Sequence, residues 1–195
     1  MTIAHTYKLI AYPKDITLAD GAVVTLKPMA RDDAAELLAF FMRVPAADRF
    51  NLKEDVQSPT VIQGWANNLD YYRALPLLAW AGDRVVADAT LHCSRANSRQ
   101  HVGEVRIVVD PEFGNSGLGT ALLRELADIG NKAGLEKLYF EAATPDQDAA
   151  IRAATSIGFV QVGMLHNHLK DLSGHPRDLV LLEMPLGKWL EWWTF

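Results

Sequence analysis

Hydrophobic positions change their period several times along this chain, and each change marks an element. Residues 7–12 and 23–27 are short apolar runs on either side of Asp20-Gly21, which predicts two strands and a turn. From Ala30 the spacing becomes helical: Ala34, Leu37, Leu38, Phe41 and Met42 share a face, Asp32 and Asp33 suit a helix start, and Pro45 stops the run. Ser58-Pro59 is an N-cap followed by proline and opens a second helix to about Tyr71. Leu75 to Ala81 and Val85 to Cys93 flank Gly82-Asp83 as a hairpin, and His101 to Val109 adds a further strand. Leu122, Leu123, Leu126 and Ile129 then line one face of a helix ending near Gly134. Leu135 to Ala142 predicts a strand, Asp146 to Ile157 a helix, Gly158 to about His168 a strand, and Leu179 to Met184 the last strand. A meander followed by a βαβ crossover implies an α/β chain with a mixed, mostly antiparallel central sheet and helices on both faces.

The stretch Val105 to Ala121, VRIVVDPEFGNSGLGTA, is a β-branched strand running through a glycine turn into a helix. That order aims unpaired helix amides at an anion, and glycine clears the approach. A nucleotide-hydrolase loop would need Lys after its second glycine, but Thr120 follows Gly119. A dinucleotide fingerprint would need a third glycine where Leu122 stands. An apolar strand, Val-Asp-Pro, a short spacer and Gly-x-Gly at a helix start resembles motif A of the GNAT superfamily of acyl-CoA-dependent N-acyltransferases. AAIRAATSIGF resembles the family's motif B in degenerate form. The likeness runs from about Val23 to Met184 and implies a GNAT fold of about seven strands. One domain is expected over residues 1–195, with 1–20 as an N-terminal extension and 188–195 as an aromatic tail.

Composition narrows the classes. Nineteen basic against 24 acidic residues give a net charge of −5 without a dense basic cluster, which argues against nucleic acid as partner. No run approaches the ~20 apolar residues of a membrane helix, and the N-terminus lacks the apolar centre of a signal peptide. A single cysteine, Cys93, permits no internal disulfide and suits the cytoplasm. Trp189, Trp192, Trp193 and Phe195 crowd the tail, and Leu186, Trp189, Leu190 and Trp193 recur at helical spacing, an apolar face that suggests a homodimer.

The resemblance implies acetyl-CoA as cosubstrate, paired through its pantetheine amides with the free backbone edge of Ile107, Val108 and Val109. Its pyrophosphate would then lie on the amides of Asn115, Ser116, Gly117, Leu118, Gly119 and Thr120. The family's usual Gln or Arg corresponds here to Gly114, and Asn115 and Ser116 replace a glycine and a basic residue. A lost charged hydrogen bond is worth roughly 1.5–3 kcal/mol, so affinity on paper falls about tenfold or more.

Transfer to an amine needs a base, a polarised carbonyl and a proton for the thiolate. Glu104 lies where family members carry a catalytic carboxylate, and its apolar strand is expected to raise its pKa. Its alternative role is an ion pair with Arg106 on the same strand face. Asp88, Thr90 and His92 alternate with Ala87, Ala89 and Leu91 and form a polar face, either solvated or lining an acceptor pocket. His166 and His168 share a strand face and are further pocket candidates; with His175 they lack the spacing of a metal site, so no metal is expected. In motif B the common Tyr, general acid toward the thiolate, corresponds to Ala154 and the common Asn to Ala149. Two functions follow: N-acetyl transfer from acetyl-CoA to a small-molecule or protein amine, or a weak or inactive protein of the same fold that binds CoA or a partner as a regulatory module.

Overall fold

The computed structural model describes Tyr7 and residues 9–187; the aromatic tail Lys188–Phe195 lies outside the described residues. Eight strands form one sheet: β1 (Lys14–Thr17), β2 (Val23–Pro28), β3 (Ala74–Ala81), β4 (Arg84–Cys93), β5 (Val102–Val109), β6 (Lys137–Thr144), β7 (Val160–Lys170) and β8 (Pro176–Pro185). Among the described residues five α-helices accompany them: α1 (Ala34–Arg43), α2 (Ala46–Phe50), α3 (Pro59–Asn67), α4 (Leu118–Lys132) and α5 (Asp148–Ser156). The strand order is β1-β2-β3-β4-β5-β6-β8-β7, with β5–β6 the one parallel pair among the described residues. The strand count is thus eight rather than about seven.

The additional strand comes from the segment expected to lie outside the shared fold. Residues 9–11 form a 3₁₀ turn, not a strand, and pairing begins after Pro13, which has no N–H to give a ladder. Lys14–Thr17 then pairs with Val23–Leu26 across the Asp20-Gly21 turn, where Gly21 takes φ +86°. Further along, α3 stops at Asn67 rather than Tyr71, because Asn68 turns out of helical geometry.

The core lies on both faces of the sheet. One apolar cluster joins Leu122, Leu123 and Leu126 of α4, Ala154 of α5 and strand residues such as Leu91, Val105 and Phe140. A second joins Leu37, Phe40 and Phe41 of α1 and Ile62 and Ala66 of α3 to Leu78 and Val85. β4 is central, so its apolar residues are buried toward both clusters, and only Asp88 and His92 break its interior pattern. This arrangement gives β5 one side facing α4 and another facing α1 and α3.

Candidate active site

β5 pairs with β6 only over Val102–Val105, against Lys137–Phe140, although it stays paired with β4 to Val109. From Arg106 onward the parallel strands part, and the β6-side backbone, that of Ile107 and Val109, has no strand partner, while Val108 stays in the ladder opposite Asp88 of β4. A ladder edge left open inside a sheet accepts an extended ligand carrying amides.

The turn that follows is held from beneath by a residue the sequence reading gave no role. Asp110, 2% exposed, accepts from the Glu112 amide (3.1 Å) and from Arg43 Nε (3.2 Å), and Arg43 also donates to the Val85 carbonyl (2.6 Å). A Cβ at position 114 would sit 3.0 Å from the Pro111 carbonyl, so this tight turn favours glycine. Asn115 (φ +58°) and Gly117 (φ +86°) are left-handed, a conformation that Asn and Gly tolerate best. Ser116 Oγ donates to the Phe113 carbonyl (2.6 Å), where the Ser116 amide also points (3.4 Å), and accepts from the Leu118 amide (3.4 Å). Those two amides therefore serve the turn itself. Among the described residues, the amides of Asn115, Gly117, Gly119 and Thr120 have no protein acceptor. Helix α4 begins at this point, and its dipole adds positive potential there. A Cβ on Gly119 would face Val109 Cγ2 (3.8 Å) and Ile107 Cδ1 (4.0 Å), so Gly119 keeps open the crevice between α4 and the free edge.

The opposite face of β4 and β5 carries side-chain chemistry. A cleft of about 420 Å³ beneath α1 and α3 is lined by Asp88, Thr90, His92, Arg106 and Val108 among others. Asp88 lies directly across the ladder from Val108, Thr90 from Arg106, and His92 from Glu104. Asp88 accepts from Thr90 Oγ1 (3.0 Å); burial pushes its carboxyl up to about 6, more than that bond lowers it. Burial, with the neighbouring Arg106 cation, pulls His92 down to about 4, so it is neutral at pH 7.

Glu104 departs from expectation. Burial alone would raise its pKa, but hydrogen bonds from Arg106 (2.9 and 3.3 Å) and Lys53 (2.7 Å) bring it down to about 2. The expected shift toward neutrality is thus reversed, and the Arg106 pairing is present. Lys53 also reaches Glu141 of β6 (3.2 Å), spanning the two strands. The sequence offered no signal for Lys53, which comes from the loop before α3. A second cleft, about 730 Å³, continues beyond this network between Glu104, Tyr139, Lys137 and Glu183. Tyr139 donates to Glu141 (2.6 Å), and burial with these carboxylates raises its pKa.

His166 and His168 are exposed on the edge strand β7 and line neither cleft; His166 Nδ1 instead meets Asp178 (3.0 Å). Among the described residues no group of three or more His, Cys, Asp or Glu is placed to hold a metal. On α5, Ala154 is fully buried, and the Thr155 and Ser156 hydroxyls bond carbonyls of their own helix. The helix start is occupied by Gln147, whose side chain accepts from the Ala143 amide (2.7 Å).

Residues 39–159, over half the chain, fit the model of the acetyltransferase (GNAT) family. The chain belongs to the GNAT family. Over 81 residues (42% of this chain, 53% of the relative) it is 32% identical to the ribosomal protein bS18-alanine N-acetyltransferase of Escherichia coli. The chain thus spans about half the length of the curated relatives it matches. Among solved structures, a GNAT acetyltransferase from Streptococcus pneumoniae aligns with TM-score 0.69 and 22% identity, covering 84% of this chain and 99% of that one. A structure from Salmonella typhimurium solved with its cofactor acetyl-CoA aligns with TM-score 0.69 and 18% identity, covering 85% and 95%. At these identities the structural likeness establishes the shared GNAT fold.

Proposed function

We propose that this GNAT protein transfers the acetyl group of acetyl-CoA to a primary amine. The observation that carries the reading is the split after Val105 beside four unclaimed amides at the start of α4. Pantetheine pairs with the free edge of Ile107–Val109, and the pyrophosphate rests on Asn115, Gly117, Gly119 and Thr120, with Ser116 and Leu118 shaping the turn. The thioester then lies beside Val108, where the free edge formed by Ile107 and Val109 supplies the backbone N–H that polarises its carbonyl. The acceptor enters from the opposite face, along Asp88, Thr90 and His92. Glu104, held by two cations, orients the acceptor or a water rather than taking a proton directly. Likeness to an enzyme named for acetylating an alanine of a ribosomal protein favours a protein or peptide amine over a free small molecule. A reducing cytoplasm suits this chemistry, and the aromatic composition of the tail supports a homodimer.

Calorimetric titration with acetyl-CoA, followed by thiol release in the presence of peptide and small amines, tests the reading. Binding with amine-dependent thiol release is the expected result. Binding without release on any amine would favour a CoA-responsive regulatory module, a second reading that draws on Ala154, since α5 brings no proton donor to the site. Light scattering of the full chain and of one lacking Lys188–Phe195 tests the dimer: a full-length monomer refutes it.

A further inference from the structure

We infer that Asp88, on the strand beside the cofactor edge, is the catalytic base that takes the proton from the acceptor ammonium. The inference rests on the acetyl-transfer reading above. Two carboxylates face the acceptor side of β4 and β5, and they differ in what surrounds them. Glu104 is bonded to Arg106 and Lys53, so both of its oxygens are already occupied by cations. Asp88 has one side-chain partner, the Thr90 hydroxyl, and no cation bonded to it among the described residues. It is part-buried, open to the 420 Å³ cleft and enclosed elsewhere.

Its position is set by register. Asp88 and Val108 are direct cross-strand partners, so their Cβ atoms stand roughly 4.5–5.5 Å apart on one face. An acceptor nitrogen in the cleft, above Val108, lies between the carboxylate and a thioester held at the free edge of Ile107 and Val109. Across β3, Asp88 faces Leu78, and Leu37 and Phe41 of α1 wall the cleft with apolar surface. The charged groups that share the cleft are Lys53, Glu54, Asp70, Arg73, His92 and Arg106. Lys53 and Arg106 are committed to Glu104, Glu54 accepts from Trp65 Nε1 (2.8 Å), and Asp70 pairs with Arg95 (3.1 Å). His92 is neutral near pH 7. Burial with no cation bonded to the carboxylate favours the protonated acid and makes Asp88 a far better proton acceptor than Glu104, consistent with its rise to about 6.

The step balances as follows. The acceptor ammonium gives one proton to the Asp88 carboxylate, and the nitrogen lone pair forms the C–N bond to the thioester carbon. The C–S bond breaks with its electron pair leaving on sulfur, and the remaining excess N–H proton passes to the CoA thiolate. Amide and CoA thiol leave, and Asp88 returns its proton to solvent.

Asp88→Asn tests this in the full-length protein. A base must be ionised, so wild-type kcat/KM with the best amine rises with pH through about 6. In Asp88→Asn we expect kcat to fall at least about 100-fold, that acid limb to vanish, and the acetyl-CoA dissociation constant to change less than threefold. Asp88→Glu, which keeps a carboxylate on a longer arm, should recover part of kcat. An Asp88→Asn variant with wild-type kcat and an unchanged pH profile overturns the proposal. A carbon-13 NMR titration of the aspartate carboxyls gives a readout independent of turnover: the signal lost in Asp88→Asn should titrate near 6, and titration near 4 overturns the proposal. If acetyl-CoA binds and thiol is released but these Asp88 readouts fail, only the base assignment falls. If wild-type protein binds no acetyl-CoA, the transfer reading falls and takes this one with it.

Discussion

Helices α4 and α5 each follow a strand of the β5–β6 crossover and pack into the same apolar cluster, yet they present very different groups at the strand split. α4 begins after two left-handed residues, with four amides free and a glycine against the open edge. α5 buries Ala154, returns the Thr155 and Ser156 hydroxyls to its own carbonyls, and uses Gln147 to tie its start to β6. The difference teaches that a site made of backbone survives loss of side-chain chemistry, because its donors belong to every residue. A site made of side chains does not. On the proposed function, binding rests on α4, and proton transfer falls to the sheet face around β4 and β5.

The largest expected effect is on the backbone site. Acetyl-CoA at 100 times its dissociation constant should stabilise the wild-type fold by about 2.7 kcal/mol, a rise in Tm of roughly 5–10 °C. Gly119→Val, alone or with Gly117 replaced, should abolish that rise by filling the crevice beside Ile107 and Val109. Gly119→Ala, whose Cβ meets only ordinary contacts, serves as the folded control with reduced affinity. An undiminished shift in both variants would place the cofactor elsewhere and erase the contrast between the helices.

Ala154→Tyr comes next. A ring forced into a fully buried position should cost about 1–3 kcal/mol, measured as a lower denaturation midpoint, with no gain in turnover. Faster thiol release from a stable Ala154→Tyr protein would show that α5 can be made to reach the site after all.

Glu104→Gln sharpens the division of labour on the sheet face. Freed of its anion, the Lys53–Arg106 pair loses its anchor, and kcat/KM should fall about tenfold with acetyl-CoA affinity nearly unchanged. The group also predicts a stability profile. Its native pKa is depressed to about 2, so its contribution is present above the unfolded value near 4.5 and is lost as pH falls toward 2. Between those limits the wild-type denaturation midpoint should drop more steeply than that of Glu104→Gln, and equal slopes would remove Glu104 from the ion network.

The smallest effect belongs to α5's hydroxyls. Thr155→Ala with Ser156→Ala should leave kcat within about twofold and stability within about 0.5 kcal/mol, as for exposed positions generally. A large loss of kcat would make one of them the missing acid.

Much of the fold was legible in periodicity. The amphipathic face of α4, the β3–β4 hairpin and the crossover to β6 all follow from where Leu, Val and Gly recur, because burial enforces period and glycine enforces turns. The first strand was misplaced because Tyr7–Tyr12 is apolar enough for a strand, whereas Lys14–Thr17 pairs at a sheet edge, where pattern is weak. In the site, the glycine loop could be read directly, since left-handed backbone and close approach restrict residue choice. The charge state of Glu104 could not, because it depends on Lys53, 51 positions away in sequence, and local context pointed to desolvation alone.

By itself the sequence determined the family, the order of strand, turn and helix from Val105 to Ala121, and that an alanine stands at position 154. These are local matters, fixed by residue identity and spacing. Tertiary structure alone decided where β5 and β6 part, which amides the turn leaves free, that Lys53 and Arg106 neutralise Glu104, and that Asp88 stands across from Val108 without a cation. The reason is physical: pKa and hydrogen-bond availability are set by whatever approaches within a few ångströms, and in a mixed sheet those neighbours come from strands and loops far apart in the chain.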